Sequence, residues 1–496
     1  MRISSFYIAL VPLLLLSPVL SQEEPSEDIV SEVTPTPTPT STPTQTPDSG
    51  DDSTSWSSTG PEPTSNENWS SEEEEPTATD DGPIDVTVVD PSPTSDVEQP
   101  SATNHPNIPG LPSNIALSDS QYATLQANCR VLKTIFTGLN GNNWTQKSGW
   151  TGDDMASCCS WQGVQCNNGG RVKALNLTNN GLSGKLPTEV SQLDGLLNLD
   201  LSNNTLSDVL SSITSVASLI SINLSNTGIT SIPESIGSLV QLQSLHLNSN
   251  KIGSLPGSMT QLTQLRGLYL SSNTLNGELP AIIYQMSSLE ILALEGNNFT
   301  GSLPNDIGNL SNLKGLYLDH NVFSGPLPDG LSKCTNLLSL NLKYNRFQSN
   351  IPESYTTLTN LHTLDLSHNK LIGVIPKTIG NLVNLEKLTL SDNEFIGQLP
   401  EELKNLRKLK AFYAQRNQLN GLFPDFPAPE SLDRSKCIAL SNKFTCRTNE
   451  VSSSSFAKMC RFNCNKGPVV SSASAIDRTF YVLSGLFSLM VWAITF

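Results

Sequence analysis

One pattern recurs along residues 172 to about 432, and it constrains the fold more than any other feature of the chain. A representative copy covers residues 313–336, and the next four copies begin at Leu337, Leu361, Leu385 and Leu409. The period is 24 residues, and the pattern comes round eleven times. A unit this short cannot bury its apolar face alone, so neighbouring copies are predicted to stack into a solenoid.

Each copy combines a short strand with a turn. The alternation around residues 316–318 predicts a strand with one buried face, with Leu313, Leu316 and Leu318 pointing inward. The remaining residues of this stretch are expected to face solvent: Lys314, Gly315, Tyr317, Asp319 and His320. Gly325 and Pro328 are then expected to turn the chain towards the convex side.

An asparagine follows the strand in nearly every copy, and its amide is expected to satisfy the turning backbone. The positions are Asn180, Asn204, Asn250, Asn273, Asn297, Asn321, Asn345, Asn369, Asn393 and Asn417. This is the leucine-rich repeat pattern, and its Leu/Phe-x-Gly-x-Leu/Ile-Pro segment resembles the plant-type extracellular subclass. The resemblance covers about residues 119–464. It implies an α/β solenoid, a leucine-rich repeat horseshoe of about eleven repeats with disulfide-bonded caps. The composition of the preceding segment predicts a disordered tail in front of it.

Three copies depart from the pattern. Those starting at Leu196, Leu219 and Leu242 have 23 residues and replace the turn glycine by Asp208, Ser231 and Ser254. The copy at Leu219 also has Thr227 in place of the asparagine. We expect a locally altered second strand there, and a change in curvature.

The segments before the repeats differ in composition. Residues 1–21 have a basic start, an apolar core and small residues near the end, as in a cleaved secretory signal, with an uncleaved membrane helix as the alternative. Residues 22–115 are rich in Ser, Thr and Pro and carry 20 acidic residues without Lys or Arg. Because the whole chain has a net charge of −17, the remainder sums to about +3. We expect this segment to be disordered, either as an O-glycosylated stalk or as a plain linker.

Residues 116–171 are predicted to form the amino-terminal cap. Apolar residues spaced by three and four from Tyr122 to Phe136 predict a helix, and Ser118 with Gln121 resembles a capping box. Cysteine pairs and tryptophans before the repeats resemble the cap of plant-type relatives, which implies Cys129–Cys158 and Cys159–Cys166 disulfides. A four-cysteine zinc site is the competing interpretation, and the oxidising secretory route disfavours it.

Residues 433–470 are predicted to close the other end. Two disulfides are expected among four cysteines, with three possible connectivities: Cys437, Cys446, Cys460 and Cys464. Cys334 is the ninth cysteine and occupies an inward leucine position, which predicts a buried, unreactive thiol. Residues 471–496 resemble a GPI-attachment signal, with the lipid expected at Ser471 or Ser472; a single membrane span is the alternative.

Seven glycosylation sequons are present: Asn68, Asn143, Asn176, Asn203, Asn223, Asn298 and Asn309. Asn176, Asn203 and Asn223 fall on or beside the strand face of the first three copies. Glycans there would cover the early concave surface and leave the later copies for binding.

The candidate binding surface is the concave strand face, the usual binding surface of solenoids. The residue between the two inward leucines forms a ladder: Asn176, Asp200, Asn223, His246, Tyr269, Ala293, Tyr317, Asn341, Asp365, Thr389 and Tyr413. Tyrosine, histidine and mixed charge are typical of recognition patches, although a solvent-facing sheet must also carry polar residues by chance. The candidate ligand-binding residues are His246, Tyr269, Tyr317, Asp319, His320, Lys343, Tyr344 and His368.

No catalytic constellation emerges from the sequence. Asp319–His320 and Asp365–His368 have no serine or cysteine placed as a nucleophile, and neighbours on a strand point to opposite sides unless the strand has already ended. The sequence contains no phosphate loop or HExxH-type metal pair, and nothing in it predicts a cofactor. A nearly neutral folded part argues against nucleic-acid binding.

Two function classes therefore stand. The first is a cell-surface recognition or adhesion protein, resembling receptor-like proteins without a kinase. It would bind a protein, a peptide or a wall polysaccharide, with a possible membrane co-receptor. The second is an inhibitor of secreted wall hydrolases, resembling polygalacturonase-inhibiting proteins. Either would be secreted, and the first would be held at the plasma membrane by a GPI anchor, with a single span or the cell wall as alternatives.

Overall fold

A computed structural model describes residues 82–86, 104–445 and 455–465, which all belong to one compact unit. The expected signal peptide, most of residues 22–115, Asn68, Cys446 and the lipid-attachment residues lie outside these ranges. Within these ranges, no helix combines the length and the apolar character needed to cross a bilayer.

The repeats stack through one long sheet on the concave side. Its 13 described strands are parallel, except for the antiparallel pairing of the first with the second. They are Val164–Cys166, Val172–Asn176, Asn198–Asp200, Ser221–Asn223, Ser244–His246, Gly267–Tyr269, Ile291–Ala293, Gly315–Tyr317, Ser339–Asn341, Thr363–Asp365, Lys387–Thr389, Ala411–Tyr413 and Cys437–Ile438. Eleven of these, from Val172–Asn176 to Ala411–Tyr413, belong to the eleven predicted copies.

Outer strands form further sheets beyond the turn. They are Ser183–Lys185 with Thr205–Ser207, Asn276–Gly277 with Asn298–Phe299, and then Ser324–Gly325, Arg346–Ser349, Lys370–Val374, Glu394–Gly397, Gln418–Leu422, Lys443–Thr445 and Cys464–Asn465. Short 3-10 helices follow on the convex side: Thr188–Gln192, Glu234–Ser238, Gly257–Gln261, Ile283–Gln285, Asn305–Asn309, Asp329–Lys333, Glu353–Thr357, Lys377–Asn381, Glu401–Asn405 and Arg434–Lys436.

The irregular copies differ from one another. The described residues of the copies at Leu219 and Leu242 contain no outer strand, so the expected alteration is confirmed there. For the copy at Leu196 it is wrong, because Thr205–Ser207 pairs with Ser183–Lys185. Asp208 takes a left-handed φ of 50°, which aspartate tolerates, and the turn glycine of a regular copy, Gly325, also has a positive φ, of 76°. An α-helix, Val209–Ile213, follows it in place of the 3-10 turn.

The interior is a single apolar column. The repeat leucines are fully buried, and Phe323 stacks between Phe299 and Phe347 with ring centroids 5.8 and 6.1 Å away. The asparagine column lines one side of this interior. The Asn345 Nδ2 group donates to the carbonyls of three residues, and its Oδ1 accepts from the Phe323 N–H at 3.0 Å. The predicted role of the asparagines is therefore present in the structure.

Thr227 replaces the asparagine in one copy, and the asparagine of the next copy accepts hydrogen bonds from its turn. The Thr227 hydroxyl donates to the Leu224 carbonyl at 2.7 Å, and its N–H donates to the side-chain oxygen of Asn250 at 3.1 Å. Asn250 also accepts from the N–H groups of Gly228 and Ile229. The turn keeps its hydrogen bonds without an asparagine of its own.

The amino-terminal cap is built on the helix Asp119–Gly138, which begins with the expected capping box of Ser118 and Gln121. Short 3-10 turns follow at Gly141–Asn143 and Cys158–Ser160. The Cys129–Cys158 and Cys159–Cys166 disulfides are those that the resemblance implied. Trp150 is fully buried and packs against Phe136, Trp144 and Trp161.

Order begins earlier than residue 116. Asn104–Pro106 pairs antiparallel with Ala116–Ser118, and Ile108 is buried in the cap core between them. Residues 104–115 were expected to be disordered on composition, and this is wrong. Ile108 supplies an apolar contact, and the strand pairing satisfies the backbone.

The carboxyl-terminal cap contains Cys437–Ile438, the short helix Phe456–Met459 and Cys464–Asn465. A disulfide joins Cys437 to Cys460, which selects among the three connectivities, and Cys464 is also disulfide-bonded. Phe456 packs against Phe412, Phe423 and Phe426, so that the last apolar turn is covered.

Cys334 is expected to resist thiol reagents until the protein unfolds. It is fully buried and unpaired, and burial raises the pKa of its thiol to about 11. The thiolate is the reacting form, so the native protein should show negligible labelling by Ellman's reagent at pH 8, and one equivalent should react in urea. Stoichiometric labelling of native protein would contradict this placement, and Cys334→Ser gives the blank.

Candidate functional site

The ladder exists as the sequence predicts. Parallel pairing aligns each of its eleven positions with the next, from Asn176 opposite Asp200 to Thr389 opposite Tyr413. Neighbouring positions are therefore separated by about one strand spacing, ~4.8 Å. The concave face thus presents one side chain per repeat in a single row.

Its tyrosines, however, are not open to solvent. Tyr269 and Tyr317 are each 3% exposed and Tyr413 is 8% exposed, so the expectation that the ladder tyrosines face solvent is wrong. Gly267 and Gly315 lie two residues earlier on the same strands, and a Cβ at either would come within 2.7 Å of the tyrosine ring. Each ring therefore lies down over its glycine, which buries the glycine as well.

A segment from the acidic region covers these rings. Val86, 9% exposed, forms a small apolar cluster with Tyr269, Ile291, Ala293 and Tyr317. The Tyr317 hydroxyl accepts from the Ile84 N–H at 3.3 Å, and the Tyr269 hydroxyl accepts from the Val86 N–H at 3.0 Å. The segment of residues 82–86, expected to be disordered, thus rests on the middle of the ladder.

The Tyr269 hydroxyl is the centre of this contact. It lies 3.1 Å from the Ile84 carbonyl oxygen and 3.0 Å from the Asp85 Oδ1, either of which can accept its proton. Burial, followed by the charge of Asp85, raises the pKa of Tyr269. The hydroxyl therefore keeps its proton and remains a donor at neutral pH.

His246 flanks the same contact. Its ring stacks on Tyr269 with centroids 4.1 Å apart, and its Nε2 lies 2.8 Å from the Ser244 hydroxyl and 3.6 Å from Asp85 Oδ1. Burial lowers the pKa of His246, and the charges of Asp85 and Asp200 oppose that change. Next to it, an open space of about 390 Å³ is lined by Asp85, Gln165, Ala174, Leu175, Asn176, Asn198, Leu199, Asp200, Ser221, Asn223 and His246.

A second row of side chains follows the ladder at the edge of the sheet, and we call it the edge column. It consists of His320, Tyr344, His368, Asp392 and Arg416, at intervals of 24 residues. The rings of the first three stack with centroids 4.5 and 4.0 Å apart, and His368 Nε2 lies 3.4 Å from Asp392 Oδ2. Arg416 pairs with Asp392, with 2.9 Å between Nη2 and Oδ2. Three stacked rings are thus continued along the edge by the ion pairs of Asp392 with His368 and Arg416.

Asp319 lies beside this column and is also buried, at 5% exposure, so its expected solvent-facing position is wrong. The strand ends at Tyr317, and the left-handed φ of 52° at His320 brings its Nδ1 to 2.8 Å from Asp319 Oδ2. Burial raises the pKa of Asp319, while the bond to His320 and the charge of Lys343 oppose the change. Asp319 and His320 lie beyond the end of the strand, so the alternation of strand side chains does not apply to them and they can meet. Asp365 bonds to Ser367, as its 2.6 Å Oδ1–Oγ contact shows, and not to His368.

The other candidate positions are distributed as follows. His320 and Tyr344 are exposed, whereas His246, Lys343 and His368 are half-buried. The structure brings His246, Tyr269 and Tyr317 together in one group, and His320, Tyr344 and His368 in another. Among the sequons, Asn143, Asn176, Asn203, Asn298 and Asn309 are exposed, and Asn223 is half-buried. In the part of the chain that the structure describes, no group of His, Cys, Asp or Glu is arranged to hold a metal ion.

Sequence reasoning missed four residues of the candidate site. Asp392 and Arg416 continue the 24-residue spacing of His320, Tyr344 and His368, and extending that spacing would have found them. Asp85 and Val86 belong to an aliphatic run, Ile84-Asp-Val-Thr-Val-Val89, within a segment otherwise dominated by Ser, Thr and Pro. That local change in composition was the available signal.

Comparison with known proteins agrees with this architecture. A leucine-rich repeat region model matches residues 210–296, and leucine-rich repeat models match residues 359–419, 171–193, 288–310 and 312–334. The chain is a leucine-rich repeat protein. Its repeats are of the plant-type extracellular class.

Curated relatives match short stretches of this leucine-rich repeat protein. A probable leucine-rich repeat receptor-like protein kinase of Arabidopsis thaliana is 44% identical over 72 residues, 14% of this chain and 8% of that protein. The phytosulfokine receptor 1 of the same plant is 43% identical over 63 residues, 12% of this chain and 6% of that protein. The matched stretches therefore span less than a tenth of the length of these relatives.

Solved structures match over a larger part of the chain. The Arabidopsis receptor kinase HAESA, in complex with the peptide hormone IDA and the co-receptor SERK1, gives a TM-score of 0.59 at 29% identity. The match covers 64% of this chain and 54% of that one. The ectodomain of GASSHO1/SCHENGEN3 from Arabidopsis thaliana, in complex with CASPARIAN STRIP INTEGRITY FACTOR 2, gives 0.55 at 30% identity, with 64% and 38% coverage.

Proposed function

We propose that this protein is a non-enzymatic, cell-surface recognition protein that binds an extended peptide or protein segment on its concave face. The edge column carries the proposal. It is a stack of aromatic and charged side chains that runs along the later repeats, away from the early sequons. Tyr344 is 39% exposed, and the side chains of His320 and Arg416 are 52% and 45% exposed.

The backbone of the edge column supports a role beyond folding. His320, Tyr344 and Arg416 have φ values of 52°, 49° and 53°. A left-handed conformation costs an L-residue about 1–2 kcal/mol, and glycine or asparagine avoids most of that cost. Asn203 and Gly296 hold the same position in other repeats. The later repeats keep bulky aromatic and charged residues despite this cost, as is typical of functional sites.

The chemistry of the column favours a peptide. Tyrosine and histidine rings offer broad apolar contact with polar tips, and Asp392 with Arg416 offers both signs of charge at one end. An extended chain has side chains and amides at a spacing that such a row can contact in succession. The two similar plant ectodomains are described in complex with a peptide hormone and with an integrity factor. A membrane co-receptor, as in the HAESA complex, is part of the same proposal.

The location follows from the sequence. We propose secretion directed by residues 1–21 and attachment to the outer plasma membrane through residues 471–496. Inhibition of a secreted wall hydrolase remains a sequence prediction, because no observation on the described residues favours it. It is therefore treated as an outcome of the binding test.

The test is a comparison of the full chain with a variant of the edge column. An array of extended synthetic peptides, polygalacturonase and pectin serve as probes. The triple variant His320→Ala, Tyr344→Ala, His368→Ala is expected to lose at least about tenfold in peptide affinity, since clustered aromatic contacts dominate binding energy.

The control is Ser249→Ala with Ser272→Ala, which alters the same backbone position in two earlier repeats. Both variants should keep the thermal midpoint of the unmodified protein to within a few degrees. Peptide binding that survives the triple variant would contradict the proposal. Stoichiometric inhibition of polygalacturonase would replace it with the inhibitor function.

A further inference from the structure

The segment of residues 82–86 occupies the concave ladder in the way a bound peptide would. The N–H groups of Ile84 and Val86 donate to the hydroxyls of Tyr317 and Tyr269. The Ile84 carbonyl and the Asp85 carboxylate lie within reach of the Tyr269 proton. Backbone amides, a carbonyl and one side chain are thus all met by side chains of the ladder.

The site also has an apolar surface against which Val86, the residue after Asp85, packs. Val86 is 9% exposed and packs on Tyr269, Ile291, Ala293 and Tyr317. A Cβ added to Gly267 would lie 2.9 Å from Val86 Cγ2, so the absence of a side chain at Gly267 leaves the space that the valine fills. Ile84, by contrast, is 43% exposed. Selectivity should therefore depend on the aspartate and on the aliphatic residue that follows it.

The ladder also provides polar partners for the Asp85 carboxylate. His246 Nε2 lies 3.6 Å from Asp85 Oδ1, and Val86 N–H also donates to that oxygen at 2.8 Å. A carboxylate at this position is thus met by an imidazole, a phenol and its own backbone. We propose, on the basis of the proposed function, that His246, Tyr269 and Tyr317 form a subsite for an extended Asp–aliphatic peptide, which residues 84–86 of this chain occupy as a tethered competitor.

The tether gives the internal segment an advantage over an external ligand. Residues 87–103, 17 in number, join it to the strand Asn104–Pro106. A tether of this length corresponds to an effective concentration of about a millimolar. An external peptide of the same chemistry must displace the segment. Its apparent affinity is therefore the intrinsic affinity multiplied by the fraction of molecules in which the subsite is open.

Amide hydrogen exchange on the full chain tests the occupancy. The Ile84 and Val86 amides are expected to exchange at least about fivefold more slowly than in a free peptide of residues 82–86, because both donate to tyrosine hydroxyls. Tyr269→Phe keeps the ring and removes the hydroxyl that accepts from the Val86 N–H, so it should raise the exchange rate of the Val86 amide towards that of the free peptide. Tyr413→Phe alters the same ladder column elsewhere and should leave it unchanged. Free-peptide exchange rates in the unmodified protein would overturn the inference.

Binding of a labelled synthetic peptide of residues 82–86 tests the subsite. The release variant Asp85→Asn, Val86→Ser should bind it about tenfold or more tighter than the unmodified chain does, because the internal competitor is disabled. The control Asp153→Asn, Val240→Ser changes one exposed aspartate and one exposed valine and should behave as unmodified protein. Adding Tyr269→Ala to the release variant should abolish the gain.

The result also separates this inference from the proposed function. A release variant that binds the peptide no better than the unmodified chain, while the edge column still binds peptides, overturns the subsite alone. Loss of peptide binding in the edge-column variant is measured independently, since that variant leaves His246, Tyr269 and Tyr317 intact. A scrambled peptide that binds the release variant equally well would also overturn the subsite.

Discussion

Replacing Asn345 by alanine is expected to lower the free energy of unfolding by about 3 kcal/mol or more. The buried amide donates to the carbonyls of Leu318, Leu342 and Lys343 and accepts from the Phe323 N–H. Alanine leaves the buried Phe323 N–H without a partner, which costs about 1–3 kcal/mol. It also removes one hydrogen bond from each of the three carbonyls, which keep one bond each, to Asn321, Asn369 and the His320 N–H, and each lost bond adds about 0.5–1.5 kcal/mol. Urea denaturation measures the loss, and hydrogen exchange should locate it in the repeats on either side.

Asn360→Ala is the matched control. Its side chain also donates to a backbone carbonyl, that of Thr335 at 2.9 Å, but on the exposed convex turn where water can replace it. We expect a change within about 0.5 kcal/mol. An equal loss of unfolding free energy in the two variants would show that the buried asparagines do not stabilise the turns.

Trp150→Ala is expected to destabilise the protein by about 3–5 kcal/mol, as is usual for a buried aromatic residue. Trp150 is fully buried among Phe136, Trp144 and Trp161, and its indole N–H donates to the Gln162 carbonyl at 2.8 Å. The change opens a cavity in the cap and orphans that carbonyl. Because the cap covers the first repeat, a weakened cap should also expose the strand edge there.

Thermal unfolding followed by tryptophan fluorescence and circular dichroism measures this effect. Tyr344→Ala removes an aromatic ring that is 39% exposed and should cost less than about 1 kcal/mol. A Trp150→Ala protein as stable as the Tyr344→Ala protein would show that the cap is not needed for the stability of the repeats.

The architecture could be predicted from sequence because the information is local and repeated. Nearly every copy has the same inward leucines and the same asparagine, so an exception such as Thr227 does not change the conclusion. The ladder register followed for the same reason, since a parallel sheet aligns equivalent positions. The outer strand of the copy at Leu196 was mispredicted because aspartate at residue 208 adopted the backbone of the missing glycine.

The burial of Tyr269 and Tyr317 under the segment of residues 82–86 could not be predicted in this way. It depends on a contact between Val86 and Tyr269, which are 183 residues apart in the chain, and no periodic pattern connects them. The burial of Asp319 was missed because the strand ends at Tyr317 and the next residues, including the left-handed His320, no longer alternate between the two faces. Both failures concern the candidate site, where long-range contacts and unusual backbone decide the geometry.

The asparagine bonds have a direction along the array. The Asn345 side chain donates to the Leu318 carbonyl and accepts from the Phe323 N–H, both in the preceding repeat. Asn417 makes the same two bonds with Leu390 and Phe395, and Asn442 of the final cap makes them with Ala414 and Leu419. Each of these units therefore depends on its successor and makes no such demand on its predecessor. Where an asparagine follows, whole units can be duplicated or lost during evolution between the first repeat and Asn442, and the lineage can lengthen its concave face without redesigning either end.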